Sequence, residues 1–201
     1  MTYSMSFTTG ALLHRESITV AELYNELGEW DAVRDRVLAA NLLQMRTLNS
    51  STRICREIIS RLKQLTPAEL AIVRDGSLQE QRYVLWLAVC KRYQFIYDFA
   101  VDVVREKYLH LDLDLPSDTF DRFFDRKAEW HPEVERVAPA TRPKQRQIVL
   151  KMLREADLLS STGQIVPALL TPRIVAAICA DSPAHFAIFP VSELEVTRWT
   201  R

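Results

Sequence analysis

Lys144, Gln147, Lys151 and Arg154 follow one another at intervals of three or four residues, the spacing that lines side chains along one face of a helix. A row of long cations on a rigid helix can neutralise several backbone phosphates of a nucleic acid together and release their counterions. The Gln147 amide has the donor and acceptor needed to read a base edge. Ile148, Val149, Met152, Leu153 and Ala156 converge on the opposite side, so the stretch from Pro143 to Asp157 reads as one amphipathic helix. Between Arg136 and Arg154 stand six basic residues and no acidic one, and Arg142 and Arg146 extend the cationic set. Lys and Arg are good helix formers and every amphipathic helix needs a wet face. Ordinary wet faces mix both signs, however, and this one does not until Glu155.

A second helix, predicted over Thr52–Leu65, has the same character. Ile54, Cys55, Ile58, Ile59, Leu62 and Leu65 fall on one face, with Arg53, Arg56, Ser60, Lys63 and Gln64 on the other. It follows a helix expected over 31–42, with Asp31 as its cap, and a turn at Asn49-Ser50-Ser51, with Ser50 or Ser51 capping what comes next. That order is the one of a helix-turn-helix, with Arg53 and Arg56 near the start of the second helix, where recognition residues sit. Glu57 dilutes the charge.

Other chemistry is thinner. His110, Asp112 and Asp114 alternate as metal ligands on a strand could, but nothing completes a shell, and acids before Pro116 are better explained as solvated turn. His131 lies near Glu133 without a Ser or Cys nucleophile motif, and His14 reads as a surface or capping residue. P-loop, GxGxxG, HExxH and GxSxG motifs are all absent, which argues against an enzyme. No cofactor and no metal is expected.

The elements that must position these residues are mostly helices. The 201 residues include only four glycines, and the 26 Lys+Arg cancel the 26 Asp+Glu. Zero net charge excludes a protein coated in cations, so a nucleic-acid contact would need a segregated patch. Gly28 breaks a first helix carrying Ile18, Val20, Leu23 and Leu27. Thr66-Pro67 with Glu69 starts a short helix ending at Gly76. Ser77 and Glu80 form a capping box for the next. From Tyr83 to Tyr108 apolar and aromatic side chains occupy nearly every face, which predicts the core. A helix from Ser117 or Asp118 to Trp130 and one turn over 133–137 lead to the basic helix. After it come a turn at Ser160–Gly163, a strand around Gln164–Val166, a helix from Pro172 to Ala180 and a last strand over Phe186–Pro190.

The three cysteines, Cys55, Cys90 and Cys179, lie far apart in apolar stretches and read as buried free thiols of a reducing compartment. The longest strongly apolar run, Val84–Cys90, is far short of the roughly 20 residues of a membrane span. A cytoplasmic location without membrane contact is expected.

Four strings together resemble the BrxA family, small proteins encoded in BREX (bacteriophage exclusion) loci. They are Ser6-Phe-Thr-Thr-Gly-Ala-Leu-Leu, Glu80-Gln-Arg-Tyr-Val-Leu-Trp-Leu-Ala-Val-Cys, Lys127-Ala-Glu-Trp-His-Pro-Glu and Met152-Leu-Arg-Glu-Ala-Asp-Leu-Leu. The third is the most specific, and the likeness runs nearly end to end. The resemblance implies a cytoplasmic, mainly helical DNA-binding protein with a core similar to the NusB fold. It would serve a defence system that methylates host DNA and blocks phage replication. The family's older label as an inner-membrane protein finds no supporting segment. No catalytic motif is carried over.

The expected architecture is therefore mainly α, a helical bundle with a NusB-like core and a C-terminal winged-helix-like unit carrying a short β-hairpin. Its parts would be an N-terminal helix-turn-helix-like unit (1–66), a central apolar core (67–116) and the winged-helix-like unit (117–201), all able to pack as one domain. The expected function is non-catalytic binding of double-stranded DNA through phosphates. Lys144, Gln147, Lys151 and Arg154 would carry the contacts, aided by Arg142, Arg146, Arg53, Arg56 and Lys63. Two alternatives stay open. One is an adaptor between larger BREX proteins, using the acid-rich 98–129 face with Trp130, Phe123 and Phe124; the other is RNA binding in the NusB manner.

Overall fold

The computed structural model describes residues 3–200 and is mainly helical. An extended strap, residues 3–13, precedes α1 (His14–Leu27), α2 (Trp30–Ala39) and α3 (Leu48–Leu62). Then come α4 (Pro67–Asp75), α5 (Leu78–Arg92) and a long helix in three parts: α6 (Gln94–Phe99), a π-helical segment (Ala100–Arg105) and α7 (Glu106–Leu109). The chain continues through α8 (Asp118–Ala128), α9 (Pro132–Glu135), α10 (Arg142–Glu155), α11 (Pro172–Asp181), a 3-10 turn (Pro183–Ile188) and α12 (Glu193–Trp199).

Local signals set many of these boundaries. Thr66 with Glu69, and Ser77 with Glu80, form complete capping boxes. Gly28 ends α1 at φ 73°, a left-handed conformation that glycine adopts without strain. Gly76 ends α4 as expected, but stays extended at φ −71° instead of adopting a left-handed conformation. The start of α3 also differs from expectation. Thr47, not Ser50 or Ser51, is the cap; its hydroxyl accepts the Ser50 N–H at 3.1 Å, drawing the helix back to Leu48. α2 begins at Trp30 behind Glu29 and stops at Ala39, while Asp31 pairs with Arg34 instead of capping.

α5 and α6 form the centre, as their all-round apolar character predicts. Trp86, Tyr93, Phe95 and Phe99 are fully buried, and the Trp86 indole donates to the Ile188 carbonyl at 3.2 Å. The Phe95 ring meets Tyr3, Phe7, Phe120, Phe123 and Phe124 with centroids 5.2–5.9 Å apart. Burying each such ring contributes roughly 1.5–3 kcal/mol. Buried residues from Tyr3 to Val191 belong to one continuous cluster.

Neither predicted strand forms, and no strand occurs among the described residues. Around the Ser160–Gly163 turn the chain does fold back: Ser160 N–H donates to Gln164 and Val166 N–H to Leu158, at 2.8 and 3.0 Å. Gly163, at φ 86°, makes the reversal possible. Leu113–Leu115 lies alongside, with Ile165 N–H donating to Leu113 and Leu115 N–H to Gly163. The pairing amounts to isolated bridges at Leu159–Ile165 and Asp114–Gln164, because Pro116 and Pro167, without N–H groups, cut it short. The last predicted strand is the 3-10 turn: Phe186, Ile188 and Phe189 are all buried, a pattern an alternating strand does not produce.

Candidate nucleic-acid interface

α3 presents Arg53 and Arg56 to solvent, with Lys63, the residue that caps its end, exposed beside them, none of the three ion-paired among the described residues. Cys55, Ile58, Ile59 and Leu62 face the core. Glu57 does not dilute this face. It is buried together with Arg61, the two joined at 2.7 Å, and it also accepts the Tyr93 hydroxyl at 2.6 Å. Burial, and then the Glu57 carboxylate, push the Tyr93 hydroxyl well above its usual pKa, so it stays a donor. Arg61 further donates to the carbonyls of Ala11 and Thr9, at 2.6 and 3.3 Å. The exposed charges of α3 are therefore all positive. Arg36 and Arg46, exposed and also without an ion-pair partner among the described residues, stand just before it. The stretch from Arg36 to Arg56 holds no acid and signals these two as clearly as Arg136–Arg154 signals α10.

α10 keeps Lys144, Gln147, Lys151 and Arg154 exposed in a row, with Val149, Met152 and Leu153 buried beneath. Lys144, Gln147 and Arg154 rim a shallow groove of about 670 Å³. Lys151 approaches Glu155 at 3.6 Å, but the other Glu155 oxygen accepts the Leu12 N–H at 2.7 Å. Arg142 and Arg146 are placed differently. Arg142 donates to Asp121 at 2.9 Å and to both oxygens of Asp125 at 2.7 and 2.9 Å, with its guanidinium over the Phe124 ring. Arg146 pairs with Asp121. These two side chains bolt α10 to α8, and the Arg142 hydrogen bond holds the Asp125 carboxyl below its usual range. α2 and α3 also differ from a helix-turn-helix: residues 40–47 separate them, more than the roughly three or four residues of that motif.

The most specific string, Lys127–Glu133, holds the start of the strap. Within Lys127–Glu133, Lys127 pairs with Asp98 at 2.7 Å and Asp102 at 3.1 Å, His131 stacks on Tyr3 with centroids 4.1 Å apart, and Glu133 accepts the Tyr3 N–H at 2.8 Å. The Tyr3 hydroxyl donates to Asp98 and, mainly through burial, its pKa is pushed up to about 12. Further along the strap, the fully buried Gln145 donates to the Met5 carbonyl at 2.7 Å. His131 and Glu133 therefore both hold the strap through Tyr3. His14 bonds Gln81 at 3.0 Å. Of the aromatic residues proposed for an adaptor surface, Phe123 and Phe124 are buried, while Trp130 is 80% exposed.

No group of three or more His, Cys, Asp or Glu side chains among the described residues is arranged to hold a metal. Asp112 pairs with Lys107, and His110 bonds the Glu106 carbonyl at 2.7 Å. Cys55 and Cys90 are buried and Cys179 is partly so, all three as free thiols. No described helix is long and apolar enough to cross a membrane.

A family model described as BrxA matches residues 1–182. The "BREX protein BrxA" of Escherichia coli O9:H4 is 24% identical over 152 residues, 76% of this chain and 71% of that one. The "BREX protein BrxA" of Paramagnetospirillum magneticum is 26% identical over 160 residues, 80% of each chain, and that of Bacillus cereus 22% over 159 residues, covering 79% and 80%. A crystal structure of an uncharacterized protein from Magnetospirillum magneticum has the same fold, with a TM-score of 0.80 at 23% identity over 95% of this chain and 100% of that chain.

Proposed function

The chain belongs to the BrxA family, and from that premise we propose that it is a non-catalytic, double-stranded-DNA-binding accessory protein of a BREX phage-defence system. The observation that carries this reading is the pair of exposed cationic rows, Lys144, Lys151 and Arg154 on α10 and Arg53, Arg56 and Lys63 on α3. Backbone phosphates are the matching ligand, because they repeat along a duplex whatever its sequence. Arg142 and Arg146 contribute by holding α10 against α8. The chain order supports a winged-helix reading of this end. A long helix leads to the extended segment 113–115, then α8 and α10, and then the reversal at 160–163, whose returning arm pairs with 113–115. In that arrangement α10 lies in or across a groove and the turn reaches an adjacent backbone.

The test is the salt dependence of binding to a labelled duplex of arbitrary sequence. Six cations on phosphates give a log K against log [salt] slope of roughly −5, and one helix alone roughly −3. No binding at low salt overturns the proposal. Preference for an A-form RNA duplex would transfer it to RNA. The adaptor reading retains one observation, the exposed Trp130. It predicts that reversing Lys151 and Arg154 to Glu leaves partner capture unchanged.

A further inference from the structure

Where α3 ends, its cationic row runs into a groove of about 400 Å³ between α1, α3 and α4. Tyr24 and Trp30 both line it, stacked with ring centroids 3.8 Å apart and planes 11° from parallel. Leu62, Leu65 and Leu70 contribute apolar surface, and Lys63 stands on the rim. Arg74 is also there but is held by Asn25 and Asp75, so Lys63 is the rim cation without an ion-pair partner among the described residues. Arg53, Arg56, Ser60 and Lys63 share one helix face, about 15 Å from first to last. A nucleic-acid strand following that row would reach the groove with one phosphate at Lys63.

The volume falls in the range of ligand pockets, roughly 300–1,000 Å³. A half-buried pair of stacked aromatics lining an open groove beside a cation suits a planar ring attached to an anion. Unpaired nucleobases are such rings, and stacking on protein aromatics tolerates any base. Duplex bases are sealed inside their own stack and cannot use the site. We infer that the Tyr24–Trp30 groove takes an unpaired base from a single-stranded extension of DNA bound along α3, with Lys63 on the adjoining phosphate. The inference rests on the α3 part of the proposed function and narrows its substrate to duplexes with single-stranded ends or gaps.

The full chain is titrated with three labelled DNAs: a blunt duplex, the same duplex with a short single-stranded overhang, and one whose overhang carries phosphates but no bases. The base-bearing overhang binds on the order of tenfold more tightly than the blunt duplex, and the abasic one loses most of that gain. Trp30→Leu keeps blunt-duplex affinity and abolishes the gain. Ala71→Leu, which fills the groove from α4 and leaves the ring pair in place, does the same if Trp30→Leu fails to fold. An equal gain from the abasic overhang, or a gain that survives a folded groove variant, overturns the inference. Blunt-duplex binding with no overhang gain overturns it too, and leaves the duplex reading standing. Loss of blunt-duplex binding with the overhang gain intact sinks the duplex reading and keeps this one.

Discussion

α3 and α10 both turn cations toward solvent, and they reach that state by opposite routes. On α3 the one acid, Glu57, is withdrawn into the core with Arg61, leaving Arg53, Arg56 and Lys63 unopposed. On α10 two of the cations, Arg142 and Arg146, are drawn onto Asp121 and Asp125 of α8. Counting charges along the chain ranks α10 first. Counting the cations without an ion-pair partner among the described residues reverses the order, with Arg53, Arg56 and Lys63 at α3 against Lys144 and Arg154 on α10, where Lys151 lies 3.6 Å from Glu155. The charge a helix offers a ligand is what its neighbours in space leave over.

The largest effect should come from the buried arginine of α3. Arg61→Ala strands Glu57 in the core and releases the strap carbonyls of Thr9 and Ala11, so a loss of about 3–5 kcal/mol is expected from urea midpoints. Arg53→Ala, on the same helix but in water, should stay within about 0.5 kcal/mol. Equal losses would erase the distinction between the two faces of α3.

Next in size are the charge reversals. Arg53, Arg56 and Lys63 changed together to Glu, or Lys144, Lys151 and Arg154 likewise, should each flatten the salt slope by about 3 and weaken duplex binding at least tenfold, roughly. A flattened slope from only one triple would assign the interface to that helix. The paired arginines give the converse. Arg142→Ala with Arg146→Ala should cost about 1 kcal/mol, discounted for their partial exposure, while the salt slope stays unchanged. A flattened slope there would mean that Asp121 and Asp125 yield to phosphate.

The smallest expected effect concerns acid. Burial acts to raise the Asp98 carboxyl, but hydrogen bonds from Lys127, Tyr3 and Gln94 outweigh it and hold the group below its usual 3.8. The contribution to stability is thus complete above that value and is lost as pH falls below it toward the folded-state value. Lys127→Met should lower stability at neutral pH and flatten the acid limb of a stability–pH curve. An unchanged limb would remove Asp98 from the account.

How much of this was legible in the sequence followed the range of the interaction. The capping boxes at Thr66 and Ser77 and the apolar run of α5 and α6 are written within a few residues, and the structure has them. Glu57 and Arg61 lie four residues apart beside Ile58 and Leu62, a placement that hinted at a buried pair, yet a charged residue defaults to the surface. The acids holding Arg142 and Arg146 come from 17 to 25 residues upstream, beyond any helical periodicity. The expected β-hairpin reduces to isolated bridges because turn chemistry at Ser160–Gly163 fixes a reversal but not the length of the arms.

The strap imposes an order on assembly. Tyr3, Met5 and Leu12 leave the ribosome well before their partners Glu133, Gln145 and Glu155, which emerge 130 to 143 residues later. Until α10 is synthesised, Met5 and Leu12 lack these partners, although Phe7 already has Tyr93 and Phe95. Contacts so distant in sequence form slowly, and an exposed apolar segment waiting for them is open to proteases and to self-association. Docking of the strap is thus a late step of folding, and a bulky insertion beside the strap should slow that step more than one of equal size beside α12.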